Sequence, residues 1–179
     1  MIIMGVDAST NCTGWSIFFN DELLAYGKIV PKSKHEDWRE RIVDIFTQLD
    51  EVIKQYHPDR LVVEDVPLFS QKGKKTLVQL GAVQGSLLLF KKDYPDLLID
   101  FIPVSTWRKN IGIFSGDRAD QKRDKLKENS IKLVNQMFNL NLIFVSPGSS
   151  KNDDDISDSI LIAASTMKKY RVSGNLKKK

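Results

Sequence analysis

The sequence predicts an α/β domain built on a mixed five-stranded sheet, in the order βββαβαβ and then helices, with helices on the sheet faces. Three observations predict it. Short apolar or β-branched runs stand at residues 1–6, 14–19, 22–30, 60–64 and 97–102. Hydrophobic spacing switches to the helical period from Asp37 onward. After the first three runs, strands alternate with helical stretches, the pattern of parallel crossovers appended to a meander. The chain has 179 residues, the size of one ordinary domain, and 41% of them are hydrophobic, enough for a core.

Each element has its own signal. MIIMGV at 1–6 is short and apolar, as a buried strand is. GWSIFF at 14–19 is strand-like, and Asn20-Asp21 turns the chain into the third strand, ELLAYGKIV. From Asp37, apolar residues fall at Trp38, Ile42, Ile45, Phe46, Leu49, Val52, Ile53 and Tyr56, with Asp37 and Glu40 placed as a capping box. His57-Pro58 ends that helix. RLVVE at 60–64 reads as a buried parallel strand. A loop follows at 66–75, then an apolar helix over 76–92 in which Gly81 and Gly85 permit close packing, on the sheet more commonly than on a second subunit. LLIDFI at 97–102 is the fifth strand, and a helix starts near Ser105. Residues 120–138 form a charged amphipathic helix, 146–154 a loop, and 155–169 a final helix. No repeat or linker divides the chain, so residues 1–169 read as one domain and 170–179 as a basic tail.

Composition excludes several classes. One cysteine, Cys12, rules out a disulfide scaffold and suits a reducing cytoplasm. Cys12 with His35 and His57 cannot build a structural zinc site. No apolar run has the roughly 20 residues of a membrane span, and the first ten residues lack the features of a secretory signal. The net charge of +4 and pI of about 9.1 suit a polyanionic partner.

Four carboxylates carry the chemistry. Asp7 ends the first strand and Glu64 the fourth. If those strands are parallel neighbours, both acids emerge at the carboxyl edge, where open α/β sheets place their ligands. Asp155 and Asp158 are three apart and share a face on the first turn of the last helix. With Asp153 and Asp154 beside them, the acids there exceed what a cap requires. A set of carboxylates without histidine or cysteine is a hard, all-oxygen donor set, which favours Mg²⁺ or Mn²⁺ over zinc or copper. Paired ions, about 3.5–4 Å apart in such sites, catalyse phosphodiester hydrolysis.

The stretches GVDAST-x-x-TGW, LVVEDV, LGAVQGSLL and DISDSILIAAS, in this order and spacing, resemble the RuvC-type Holliday junction resolvases of the RNase H-like superfamily. The resemblance spans residues 1–167, and the chain's divergence from it, small size and richness in lysine and asparagine suit a bacteriophage member. It implies an RNase H-like fold, a homodimer, and Mg²⁺-dependent nicking of opposed strands at a four-way DNA junction, in the cytoplasm of a bacterial or phage-infected cell. It places the family's acids on Asp7, Glu64, Asp155 and Asp158, with two Mg²⁺ per site and Mn²⁺ as a substitute. The sequence departs from the family at Ala8-Ser9, where Pro-Gly is common. The run Asp153-Asp154-Asp155 leaves the register of the third carboxylate open.

DNA contacts are expected from Phe69, Lys72, Lys74 and Lys75 in the 66–75 loop, an aromatic among lysines. Phe69 stands where the family's base-stacking aromatic is sought, at an unusual offset. Arg108, Lys109, Arg118 and Lys122 supply further basic residues in a region that the family uses to hold DNA, with Lys109 or Lys122 assisting at the scissile phosphate. Trp38, Trp107 and Cys12 read as packing groups. Three alternatives stand beside the resolvase reading: a nuclease of the same fold acting on structured RNA, a non-catalytic branched-DNA binder, and an actin/hexokinase-type phosphate loop. That last fold needs a second lobe, for which 179 residues leave no room.

Overall fold

The computed structural model describes residues 1–31, 37–66, 73–113 and 122–172. His35, Phe69, Lys72 and Arg118 lie outside these residues, as does the chain from 173 on. Strands β1 (Ile2–Asp7), β2 (Thr13–Phe19) and β3 (Glu22–Ile29) form the meander. Helix α1 (Trp38–Tyr56) leads to β4 (Arg60–Glu64), and α2 (Lys74–Leu88) with the short α3 (Phe90–Asp93) leads to β5 (Leu98–Ile102). Helices α4 (Val104–Ile111), α5 (Arg123–Phe138) and α6 (Asp154–Ala164) complete the domain. The sheet order is β3-β2-β1-β4-β5, with β1, β4 and β5 parallel and the meander antiparallel.

Strand alternation splits the core in two. Met4, Val6, Ile17, Leu61 and Val63 face α1, α2 and α3, where Ile45, Leu49, Ile53, Leu87 and Phe90 close over them. Ile3, Phe18 and Val62 face the other way, onto Trp107, Val134, Ile156, Ile160 and their neighbours on α4, α5 and α6. Two connections follow local chemistry. Asp37 caps α1 by accepting from the Arg39 N–H at 3.0 Å. His57 ends α1 in the left-handed region at φ 47°, with its N–H returning to the Ile53 carbonyl.

The last helix is shorter than its pattern predicts, stopping at Ala164. Ser165 and Thr166 turn their hydroxyls back onto the Ile162 and Ala163 carbonyls, and the chain then tightens into a 3₁₀ turn, Lys168–Tyr170. The chain also stays packed beyond residue 169. Tyr170 meets Phe18 and Phe138 edge-on or tilted and donates its hydroxyl to the Asp21 carbonyl, and the Val172 N–H donates to the Asn110 carbonyl. Among the described residues, no helix is long and apolar enough to cross a membrane.

Candidate active site

Sheet register sets the first two acids side by side. Val6 pairs with Val63 across the parallel β1–β4 ladder, so Asp7 and Glu64 each follow the same rung and leave the sheet at its carboxyl edge. Helix α6 brings the other two. It lies directly against β1 and β2, because Gly5 and Gly14 offer it no side chain. A Cβ on Gly14 would overlap the Asp155 carbonyl, and one on Gly5 would overlap the Ser159 carbonyl. Ser16 bonds the same helix, donating its hydroxyl to the Ser159 carbonyl at 3.0 Å. Gly14 is the register partner of Asp7, so seating Asp155 on Gly14 puts it beside Asp7.

The result is one pocket of about 230 Å³ lined by Asp7, Glu64, Asp155 and Asp158, with Arg108 and Lys127 as its cations. The run of three aspartates separates by role. Asp153 pairs with Lys28 at 3.1 Å and accepts from the Ile143 N–H. Asp154 is buried and ion-paired with Lys127 of α5. Asp155 reaches the pocket.

Electrostatics mark the pocket as strained by its own charge. Burial, then the fields of Glu64, Asp158 and Asp155, raise the Asp7 carboxyl well above the usual range. Asp158 is pushed up to about 7, chiefly by burial, with Arg108 pulling the other way and Glu64 adding to the rise. Burial also raises Asp155, which Cys12 offsets in part by a hydrogen bond to the carboxylate. The Cys12 thiol is raised in turn, by burial first and then by Asp155, so it is a poor nucleophile.

These residues fit a divalent cation. They are hard oxygen donors, they crowd like charge, and the buried Asp158 Oδ1 has no hydrogen-bond partner, although Ser130 of α5 faces that carboxylate. The fit is to an open wall: among the described residues, no three acidic, histidine or cysteine side chains form a preassembled metal cage.

The basic candidates divide. Arg108 lines the pocket, its guanidinium 4.9 Å from the Trp107 ring centroid and its Nε buried without a hydrogen-bond partner. Lys109 and Lys122 are exposed and stand outside the pocket lining, so the cations beside the acids are Arg108 and Lys127. Lys74 and Lys75 are exposed on the first turn of α2, whose Leu80 and Gln84 reach the pocket. Sequence reasoning passed over Lys127, Trp107 and Cys12 as site residues. Trp107 is core, as its apolar surroundings require, yet its indole N–H donates to Glu64 Oε2 at 2.9 Å. Gly81 and Gly85 do not pack on the sheet: a Cβ on either meets nothing within 4 Å.

Comparison with known proteins places the chain in a family. Residues 3–117 match the family described as crossover junction endodeoxyribonuclease RuvC. The RuvC of Halothermothrix orenii is 25% identical over 177 residues, covering 97% of this chain and 96% of that protein. The RuvC of Dictyoglomus thermophilum is 31% identical over 132 residues, 72% of this chain and 81% of the relative. Among solved structures, T. thermophilus RuvC in complex with Holliday junction substrate superposes with a TM-score of 0.67 at 15% identity, covering 92% of each chain. Fowlpox virus resolvase, solved with Holliday junction DNA, gives 0.55 at 15% identity over 94% of this chain and 98% of the other. Both share the RNase H-like fold.

Proposed function

The chain belongs to the crossover junction endodeoxyribonuclease RuvC family, and from that premise we propose how its own residues resolve four-way DNA junctions. The protein is an endonuclease that hydrolyses phosphodiesters at Holliday junctions. The observation that carries the residue assignment is the convergence of Asp7, Glu64, Asp155 and Asp158 on one pocket at the carboxyl edge of β1 and β4.

Asp7, Glu64, Asp155 and Asp158 would hold two Mg²⁺, which would supply an activated water and charge compensation at the departing 3′ oxygen. Burial and the neighbouring carboxylates hold Asp7 and Asp158 at high proton affinity, so both acids would have to give up that proton to serve as ligands. Arg108 and Lys127 face the same space and neutralise the scissile phosphate as charge builds on it. Lys74, Lys75, Lys109 and Lys122 are exposed and hold the DNA backbone further out, with Lys72 and Arg118 assigned to the same duty, and Phe69 to base stacking, from the sequence alone.

The second half of the substrate calls for a second active site. A four-way junction has two equivalent strands to cut, and a two-fold dimer matches that symmetry. The surface that suits it is the outer face of α2, where Gly81 and Gly85 open to solvent between Val78, 63% exposed, and Leu88 and Leu89, 50% and 60% exposed.

The test is cleavage of a labelled four-way junction in Mg²⁺, beside a duplex of equal length, a structured RNA and an EDTA control. Paired symmetric nicks in the junction alone are expected. Cleavage of the RNA instead, or binding without nicks, would overturn the reading.

A further inference from the structure

Trp107 heads the fully buried side chains by volume, with 0% exposure, and its one polar atom is aimed at the acidic pocket. Indole is a donor only, so Nε1–H can serve a carboxylate in just one way. It donates to Glu64 Oε2 at 2.9 Å. Glu64 is the pocket acid that ends β4, and its backbone is already fixed. It pairs with Ile102 in the β4–β5 ladder, and Gln84 of α2 donates to its carbonyl at 2.9 Å. The side chain remains free to rotate unless something holds it.

We propose that Trp107 is a positioning residue for Glu64: its indole N–H occupies Oε2 and leaves Oε1 as the oxygen presented to a divalent cation. This rests on the metal-binding reading of the pocket. The indole is well suited to the task because it cannot shift. It is packed within the cluster of Ile111, Ile160, Leu161 and Val62, and the neighbouring Arg108 guanidinium lies over its ring. A rigid donor on a rigid helix fixes one carboxylate oxygen more tightly than a flexible lysine would. Trp107 thus joins α4 to the pocket twice, through the bond to Glu64 and through Arg108, whose charge acts on Asp158.

A merely structural role is the competing account, since a buried indole N–H needs some acceptor. An isosteric replacement separates the two. Benzothienylalanine incorporated at position 107 keeps the bicyclic shape and exchanges N–H for sulfur. Trp107→Phe serves as the genetically simple companion, with its melting temperature recorded alongside. Mn²⁺ binding is measured by calorimetry without DNA, and the Mg²⁺ concentration for half-maximal junction cleavage is measured in parallel.

The expected result is Mn²⁺ affinity weakened about 10-fold or more, the range typical of lost outer-shell partners. A matching rise in the Mg²⁺ requirement should accompany it, with the melting temperature of the benzothienyl protein and junction affinity in EDTA unchanged. Metal affinity within about twofold of wild type in the benzothienyl protein would overturn the Trp107 role alone. Wild-type protein that takes up no Mn²⁺ would overturn that role together with the metal assignment.

Discussion

Lys127 of α5 is ion-paired with Asp154, the residue immediately before the pocket aspartate Asp155. Asp154 is nearly buried, its side chain 8% exposed, while the lysine is 26% exposed and also lines the pocket. The pair fixes one of the pocket's two cations from outside the pocket. Lys127→Ala should slow junction cleavage roughly 10²-fold, the scale for losing a preorganised charge at a transition state, with junction affinity nearly unchanged. Asp154→Asn removes the ion pair with Asp154 and leaves Lys127 in place, so a smaller loss is expected, about 10-fold, beside a fall in stability on the order of 1–3 kcal/mol for weakening a mostly buried interaction. Single-turnover cleavage and thermal melts distinguish the two. Equal cleavage by Lys127→Ala and wild type would remove Lys127 from the mechanism.

Asp7→Asn should abolish cleavage while leaving junction binding in EDTA intact. The substitution keeps the shape of the side chain and removes a carboxyl whose proton affinity is raised by burial, Glu64, Asp158 and Asp155. The metal-free protein should therefore melt at a higher temperature than wild type, the opposite of what loss of a structural residue does. Cleavage at the wild-type rate would sink the assignment of Asp7.

Asp7 and Glu64 were legible in the sequence because each follows an apolar run that fixes its geometry. VVE at the end of a β-branched strand and GVD at the end of another place Glu64 and Asp7 at one edge once the strands are parallel. The choice within Asp153-Asp154-Asp155 was not legible, since it depends on Lys28 and Lys127, which are distant in sequence and near only in the fold. Trp107 and Lys127 were hidden for a related reason. Trp107 has the burial of any core aromatic, and Lys127 sits among the mixed charges of α5. Their partners lie on β4 and α6, and no local periodicity encodes contacts between elements. Gly81 and Gly85 misled because a small-residue pair states that something approaches closely without saying what.

Gly14 should tolerate no side chain. Alanine there would drive Cβ into the Asp155 carbonyl and the Ile156 amide, backbone atoms that cannot rotate away. Gly14→Ala should cost on the order of 3 kcal/mol, the upper part of the overpacking range, and displace Asp155 from Asp7. Cleavage should fall with stability, and a denaturant melt reads the first loss directly. Wild-type stability would mean that α6 does not rest on β2 as described.

Stability should fall with rising pH in the absence of metal. Asp158 titrates near 7 in the fold, against a usual value of 3.8. Between those values the folded state binds more protons than the unfolded one, so the slope of unfolding free energy against pH is negative. The contribution is fully present at the acidic end and is lost as pH rises toward about 7. Asp158→Asn should flatten this part of the profile, and saturating Mg²⁺ should do the same by compensating the charge. Melting temperatures in EDTA across this window, wild type against the variant, are the measurement, and parallel profiles would contradict the burial of Asp158 as an acid.

The outer face of α2 should carry the dimer. A Cβ on Gly85 meets open space, so Gly85→Arg adds a large charged side chain without disturbing its own subunit. Helix propensity favours arginine over glycine by up to about 1 kcal/mol, so the monomer fold should be as stable as before or more so. A buried charge at the centre of an apolar contact between subunits costs far more than it gains. Gly85→Arg should therefore sediment as a monomer at concentrations where wild type is a dimer. On a four-way junction it should give single, unpaired nicks in place of symmetric pairs, because each active site then acts alone. The pocket residues are untouched, so the nicking rate per site in excess enzyme should change less than the pairing does. A Gly85→Arg protein that still sediments as a dimer and makes paired nicks would move the interface away from α2, to another exposed apolar surface such as Leu24 and Tyr26 on the edge strand β3.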